Sequence, residues 1–512
     1  METLGSLNDL LYGKFQKDRI VSCGIKDNSV ELFLQLEDGT IVSEFKPLRY
    51  WLCSYIPLDP YFTRLEGNLY YKWIKKYESK QDYIVDLKGF WKEDTSRVYD
   101  DKQAAQTLYG FTMFKGMKLE EISVLSFDIE TDGLVKNQNS TVYLISSTYR
   151  DIHGEETRLW DFKDYKTPGD MILNWCEWVR EKNPSIMLGH NILSYDLPYM
   201  EHVASLHNCY LDLGRDGSRM VINKYESKFR KDGNEDFKYY DVEVYGRELV
   251  DTFFLSYKYD VGRKYVSNGL KQIIKQEGLE DPNRTFYDAG QIRNKYNDPV
   301  EWEKIKLYAI DDAKDALKLF YLMIPSFFYM TRNLTCSLQA TINKASGSQL
   351  NGILVRSYLQ HGHSFPKANK AVAFEGAISF GIPGVYRNVL KADCIAMYPS
   401  IIRQHRIYDE AKDPYGHFYA MVDSFTIKRF EEKRLAKETG DKYYRDLEQS
   451  SKIFINSCYG LLGATGLHFN APPLAALVTK YGREIISSVV KWSTSNGVEH
   501  YNEYRKLDVE KL

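Results

Sequence analysis

The 512 residues are 43% hydrophobic and 27% charged, a globular mixture too long for one core, so about three domains are expected. Lys plus Arg number 68 against 70 Asp plus Glu, a net charge of −2, so any phosphate-binding surface has to be a local patch. The seven cysteines include no C-x-x-C pair, no basic-then-apolar signal opens the chain, and no apolar run reaches about 18 residues. Zinc, a disulfide framework and a membrane span are thereby disfavoured, and a cytoplasmic protein is expected. In chain order, short strands and turns fill residues 1–110: Val30 to Leu36 alternates, and Asp38-Gly39 marks a turn. An apolar strand follows at Ile122 to Ile129, then helical stretches including Met171 to Lys182 and Trp302 to Leu322. Between them, Arg219 to Phe229 and Phe237 to Tyr245 read as a basic hairpin around Asp232-Gly233. Past the Gly- and Pro-punctuated GAISFGIPGVYRNV, an apolar strand is expected before Tyr398-Pro399-Ser400. Helices near 421–438, 443–459 and Leu474 to Trp492 complete the chain.

Asp128 and Glu130, in SFDIET, are two acids at i and i+2 of a strand, so both side chains leave the same face. Two such carboxylates repel, and a divalent cation with oxygen ligands relieves that repulsion. Asp196 follows the strand-like Ser185 to Leu188, in GHNILSYD. Tyr308 and Asp312 lie one helical turn apart and share a face, which favours Asp312 over its neighbour Asp311. Asp128, Glu130, Asp196 and Asp312 can converge on two Mg²⁺ ions about 4 Å apart, the arrangement for in-line phosphodiester hydrolysis. Tyr308 is then placed to hydrogen-bond the attacking water.

FDIET, GHNILSYD and YAIDDA resemble, in order, the three motifs of DnaQ-like 3′–5′ exonucleases, in particular the proofreading domain of family B DNA polymerases. GRELVDTF and SNGLKQIIKQEGL are also similar to that family, with Asp251 read as a structural acid. The resemblance implies an RNase H-like exonuclease domain over 111–327. Residues 1–110, completed by about 328–372, become a strand-rich N-terminal domain.

ADCIAMYPSII resembles the family's motif A, with Ala396 and Met397 where Ser and Leu are usual. It implies that Asp393 ends a strand and binds both catalytic metals, and that Tyr398 lies under the incoming sugar. KIFINSCYG matches motif B, K-x3-N-S-x-Y-G. Lys452 would neutralise the triphosphate, Asn456 and Tyr459 would flank the nascent base pair, and Gly460 would admit the template base. Arg429 and Lys433 resemble the phosphate-gripping pair of the other fingers helix, and Gly376 sits in a template-contacting Y-x-G-G/A-like element, FEGA. Asn191, beside Asp196, is a further implied DNA contact. The expected layout is therefore an α/β multidomain chain with palm at 373–420 and 461–512, and short fingers at 421–460.

The family's motif C, Y-x-D-T-D, has no match after motif B, and a thumb is not expected; Asp508 lacks the flanking residues. The reading is a viral or phage-type, nucleic-acid-primed polymerase subunit with proofreading, acting in the host cytoplasm. A split enzyme, with a second chain supplying motif C and thumb, is preferred over a truncated one. Mg²⁺ is the expected cofactor, two per active site, with Mn²⁺ as the substitute. Primer-template DNA, dNTPs and replisome proteins such as a clamp are the expected partners, and no membrane. The rival readings are a free-standing 3′–5′ exonuclease with a vestigial palm and a non-catalytic DNA-binding or assembly protein.

Overall fold

The computed structural model describes residues 4–497 except 16, 98–99, 232–234, 383 and 390; the expected turn at Asp232-Gly233 and Asp508 lie outside the described residues. Strands β1 (Ile20–Lys26), β2 (Ser29–Gln35) and β3 (Ile41–Pro47) form an antiparallel meander. Asp27 and Asn28, both at positive φ, make the two-residue turn between β1 and β2, where short polar side chains tolerate left-handed backbone. A second sheet has the order β5-β6-β4-β7, from β4 (Tyr50–Ser54), β5 (Thr63–Arg64), β6 (Trp73–Tyr77) and β7 (Thr95–Arg97). The chain returns to this region much later. The helix Ser346–Gln360 packs against the helix Asp101–Tyr109, and bridges join Glu66 to His363 and Tyr71 to Phe365.

The central sheet is five-stranded, in the order β10-β9-β8-β11-β14. Its members are β8 (Val124–Thr131), β9 (Val142–Asp151), β10 (Gly154–Asp161), β11 (Ile186–Gly189) and β14 (Glu248–Asp251). β8 lies in the middle, antiparallel to β9 and parallel to β11, which explains its near-continuous apolar run. The intervening hairpin, β12 (Val221–Lys231) and β13 (Glu235–Glu243), pairs only with itself among the described residues. Across the central sheet lies the 25-residue helix Pro299–Met323, started by Asp298 capping Val300 and Glu301. Ala309 and Ala313 let it approach closely, and buried hydroxyls fix its position. Ser146 Oγ donates to Ala309 O (2.6 Å) and Ser126 Oγ to Ala313 O (2.7 Å). That docking decides which helix face meets the acids of β8.

The last third is helical: Met397–His405, an antiparallel pair His417–Thr439 and Lys442–Gly463, and Pro472–Thr494. Gly440, at φ 70°, turns the pair, and Phe425 stacks on Phe454 at 3.8 Å between its arms. The strand expected before Tyr398 does not form; the described residues of 367–396 hold neither helix nor strand. A strand persists only when a neighbour satisfies its main-chain groups, and no described segment pairs there. No helix is long and apolar enough to cross a membrane among the described residues.

Three histidines are enclosed in neutral form. His190 lies between Thr252 Oγ1 and Asn268 O, His417 beside Ser357 Oγ, and His468 against Ser96 Oγ. Desolvation pushes all three down to about 4. A histidine depressed in the folded state stabilises fully above its unfolded value of about 6.5 and loses that contribution as pH falls toward the folded value, at most about 3 kcal/mol each. Between pH 7 and 5 this loss runs against the gain from the raised carboxylates, so it is read as a difference: His468→Gln is expected to lose less melting temperature than the wild type on acidification, and an identical pH dependence in that variant would contradict the assignment.

Candidate active site

Ligand oxygens of Asp128, Glu130 and Asp312 all lie within 4.8 Å of one another. Strand alternation puts the first two on one face of β8, and the docked 299–323 helix brings the third across. Glu130 is 7% exposed, Asp312 6%. Burial, then repulsion from Asp312 and the other carboxylates, holds Asp128 and Glu130 well above the usual carboxylate range. Hard oxygen donors crowded at this spacing fit a divalent cation such as Mg²⁺ or Mn²⁺.

Asp196 does not join the set within 4.8 Å. It opens the helix Asp196–Leu206, buried to 4%, and contributes to the field on Asp128 and Glu130. Burial, followed by repulsion from Asp251, raises it to about 8. Three of the four expected acids thus lie within 4.8 Å of one another, and Asp196 lies at a greater distance from at least one of them. The intervening loop sets that distance. Asn191 adopts a left-handed φ of 71°, and Asp251 at the end of β14 accepts the amides of Asn191 (2.8 Å), Leu193 (3.0 Å) and Phe253 (2.9 Å). Those bonds counter the burial that lifts Asp251 to about 6. It is a structural acid that shapes the backbone leading to Asp196.

Positive charge enters from two residues that motif reading missed. Lys271 lies 3.6 Å from Asp312 Oδ2 and donates to the Tyr308 hydroxyl. Arg284 donates to Asp312 Oδ1 and, at 2.6 Å, to Asp315. Burial raises Asp312, while Lys271 and Arg284 pull it back. Tyr308 is buried, and burial together with the adjacent carboxylates keeps its hydroxyl protonated. Asp311 turns to the Thr285 amide (2.7 Å) instead. Lys271 lies within the family-like SNGLKQIIKQEGL, which by itself gives it no role; for Arg284 the advance signal is the acid cluster itself, which demands nearby cations.

In the helical third, Tyr398 meets Tyr459 with ring centroids 4.6 Å apart, so the two motifs expected at a nucleotide site are brought together. A Cβ at Gly482 would come 3.2 Å from Tyr398, so that glycine lets the 472–494 helix close against the ring. Asn456 and Gly460 are exposed, and a Cβ at Gly460 would meet nothing within 4 Å. Lys452 is half-buried and Lys433 exposed. Arg429, expected to grip phosphate, is instead paired with Glu448 at 2.7 Å and mostly buried. Helix periodicity gave its face but not its partner across the helix pair. Gly376 is exposed, and its carbonyl and that of Glu375 accept hydrogen bonds from Arg483 at 2.6 and 2.9 Å. Asp393 is exposed on the strandless segment.

A family model described as "DNA polymerase family B, exonuclease domain" matches residues 111–255, and one described as "DNA polymerase family B" matches 415–511. Both matched stretches are similar to DNA polymerase family B. The first match spans β8, Asp196 and Asp251; the second spans Arg429, Lys452 and Tyr459. Relatives of this chain include the DNA polymerase of Thermococcus sp. (strain 9oN-7), 24% identical over 73% of this chain and 51% of that protein. The DNA polymerase delta catalytic subunit of Caenorhabditis elegans is 23% identical over 62% and 32%. The chain therefore spans about half the length of the archaeal relatives it matches. Its fold is similar to the family B DNA polymerase structure from Pyrobaculum calidifontis, with a TM-score of 0.72 at 18% identity, covering 93% of this chain and 72% of that one.

Proposed function

We propose that this chain removes nucleotides from DNA 3′ ends by two-metal hydrolysis and carries the dNTP-selecting part of a proofreading DNA polymerase of family B. The observation that supports the first activity is the approach of Asp128, Glu130 and Asp312 to within 4.8 Å. These three would hold Mg²⁺ or Mn²⁺, with Asp196 completing the negative field. When bound, the cations supply charge neutralisation at the scissile phosphodiester. Tyr308, protonated and buried, orients the attacking water. Lys271, beside Tyr308 and Asp312, contributes a positive charge at the same point. Asn191, half-buried in its left-handed turn, would contact the DNA strand.

For synthesis, Asp393 supplies one palm carboxylate, and a second must come from further polypeptide, in the same chain or another. Tyr398, Asn456, Tyr459 and Gly460 would shape the pocket for the nascent base pair, and Gly376 the template path. Lys433 and Lys452 would meet the triphosphate; Arg429 joins them only after leaving Glu448. That pairing, with the strandless segment before Asp393, favours as second reading an exonuclease whose palm is inactive by itself. Primer-template carrying a 5′ label distinguishes them. With Mg²⁺ the chain should shorten single-stranded 3′ ends. Supplied with polypeptide bearing the missing palm acid, it should extend primers with dNTPs, and Asp393→Ala should lose extension by about 10³-fold while shortening is retained. Extension that survives Asp393→Ala would sink the palm assignment; its absence in the wild type favours the second reading.

A further inference from the structure

Arg284 is the most enclosed charge beside the acid cluster, its side chain 1% exposed. Its guanidinium divides between two carboxylates of the 299–323 helix, Asp312 and Asp315, one turn apart. Asp315, itself 1% exposed, is held on its other oxygen by Lys318 at 3.1 Å. Lys318 also donates to Leu279 O (3.2 Å), in the segment leading to Arg284. Charges thus alternate along one line: Asp312 minus, Arg284 plus, Asp315 minus, Lys318 plus. Asp312 is the end that faces Asp128 and Glu130. Its two oxygens are treated differently. Oδ1 is bound to the enclosed Arg284, whereas Oδ2 meets the more exposed Lys271 only at 3.6 Å.

We propose that Arg284 is a positioning residue that locks Asp312 Oδ1, leaves Oδ2 to face the cation site, and, with Asp315 as its counterweight, sets how much of the Asp312 charge a divalent cation meets. The inference rests on the exonuclease reading. A planar fork can orient two carboxylates at once, which a lysine point charge cannot. Arg284 also takes negative charge away from the cluster, so orientation and cation affinity are opposed through one residue. Asp315 tempers this. With Asp315 neutral, Arg284 acts on Asp312 alone and the cluster attracts cations less.

Mn²⁺ binding to the full chain, read by electron paramagnetic resonance, and 3′-end removal from a single-stranded oligonucleotide test this together. Arg284→Met is expected to bind Mn²⁺ several-fold more tightly than wild type while kcat falls by about 10–100-fold, the range for residues supporting metal ligands. Asp315→Asn is expected to move Mn²⁺ affinity the other way, several-fold weaker. Arg284→Lys should restore near wild-type Mn²⁺ affinity without restoring kcat. A merely structural role would weaken binding and rate together in Arg284→Met, and that result overturns the proposal. So does an unchanged kcat, or a common direction of the Mn²⁺ shift in Arg284→Met and Asp315→Asn. If Arg284→Met fails to fold, Asp315→Asn and Arg284→Lys decide by the same criteria. Wild type that neither binds Mn²⁺ nor shortens 3′ ends overturns the exonuclease reading itself, a pattern separate from every variant-specific failure.

Discussion

Asp128→Ala combined with Glu130→Ala is expected to abolish 3′-end degradation and, at the same time, to make the metal-free protein more stable. The loss should reach about 10³-fold, since removing several kcal/mol of charge stabilisation costs roughly a decade per 1.4 kcal/mol. The gain follows from the acids' environment. Both are raised by burial and mutual repulsion, so the folded state binds more protons than the unfolded one between the ordinary carboxylate range and their elevated values. Stability of the metal-free chain therefore declines as pH rises across that window, and deleting the pair removes the decline. Mn²⁺ or Mg²⁺ should raise the melting temperature of the wild type by linkage, about 2.7 kcal/mol at a hundred times Kd, and leave the double variant much less affected. Calorimetry with and without metal, beside a gel assay of 3′-end removal, reads both effects. A double variant that is less stable without metal than the wild type, or one that still degrades DNA, would contradict the assignment.

Asp251→Ala should be among the most damaging single changes outside the cluster itself. The side chain is 1% exposed and accepts amides from Asn191, Leu193 and Phe253. Its removal strands those donors at about 1–3 kcal/mol each where water cannot replace it, so a loss of about 3–5 kcal/mol is expected in urea unfolding. The loop would relax from its left-handed turn at Asn191, Asp196 would shift, and exonuclease activity should fall with it. Asp251→Asn separates shape from charge. One amide oxygen retains part of the loop, and the repulsion that raises Asp196 disappears, so Asp196 should titrate below its present value of about 8. An alanine variant within about 1 kcal/mol of wild type, with an unchanged rate, would show that the loop holds itself.

How far the site can be read in advance depends on the range of each interaction. Asp128 and Glu130 share a strand face because alternation is local, and Tyr308 and Asp312 share a helix face for the same reason. Lys271 lies in the short helix Leu270–Gln276 and Arg284 in the loop after it, and the local periodicity of neither points to Asp312. Arg429 shows the opposite failure. Its position on the helix was legible, but its ion pair with Glu448 forms across two helices and removes the free cation that position suggested. The strand before Tyr398 is apolar enough to form one, yet strand structure belongs to a ladder, and no described neighbour supplies it.

Residue order alone determined the elements and the acids they carry: an apolar strand ending in D-x-E, a long helix bearing Tyr308 and Asp312, and a later helix with Lys452 and Asn456. Only the tertiary structure decided that Asp128, Glu130 and Asp312 come within 4.8 Å of one another while Asp196 lies outside that set, and that Arg284 and Lys271 divide the two oxygens of Asp312. The reason is physical. Backbone periodicity sets the direction of a side chain within its own element, whereas the separation between charges on different elements is set by packing, here by Ser126 and Ser146 fastening the helix to the sheet and by Asp251 fastening the loop.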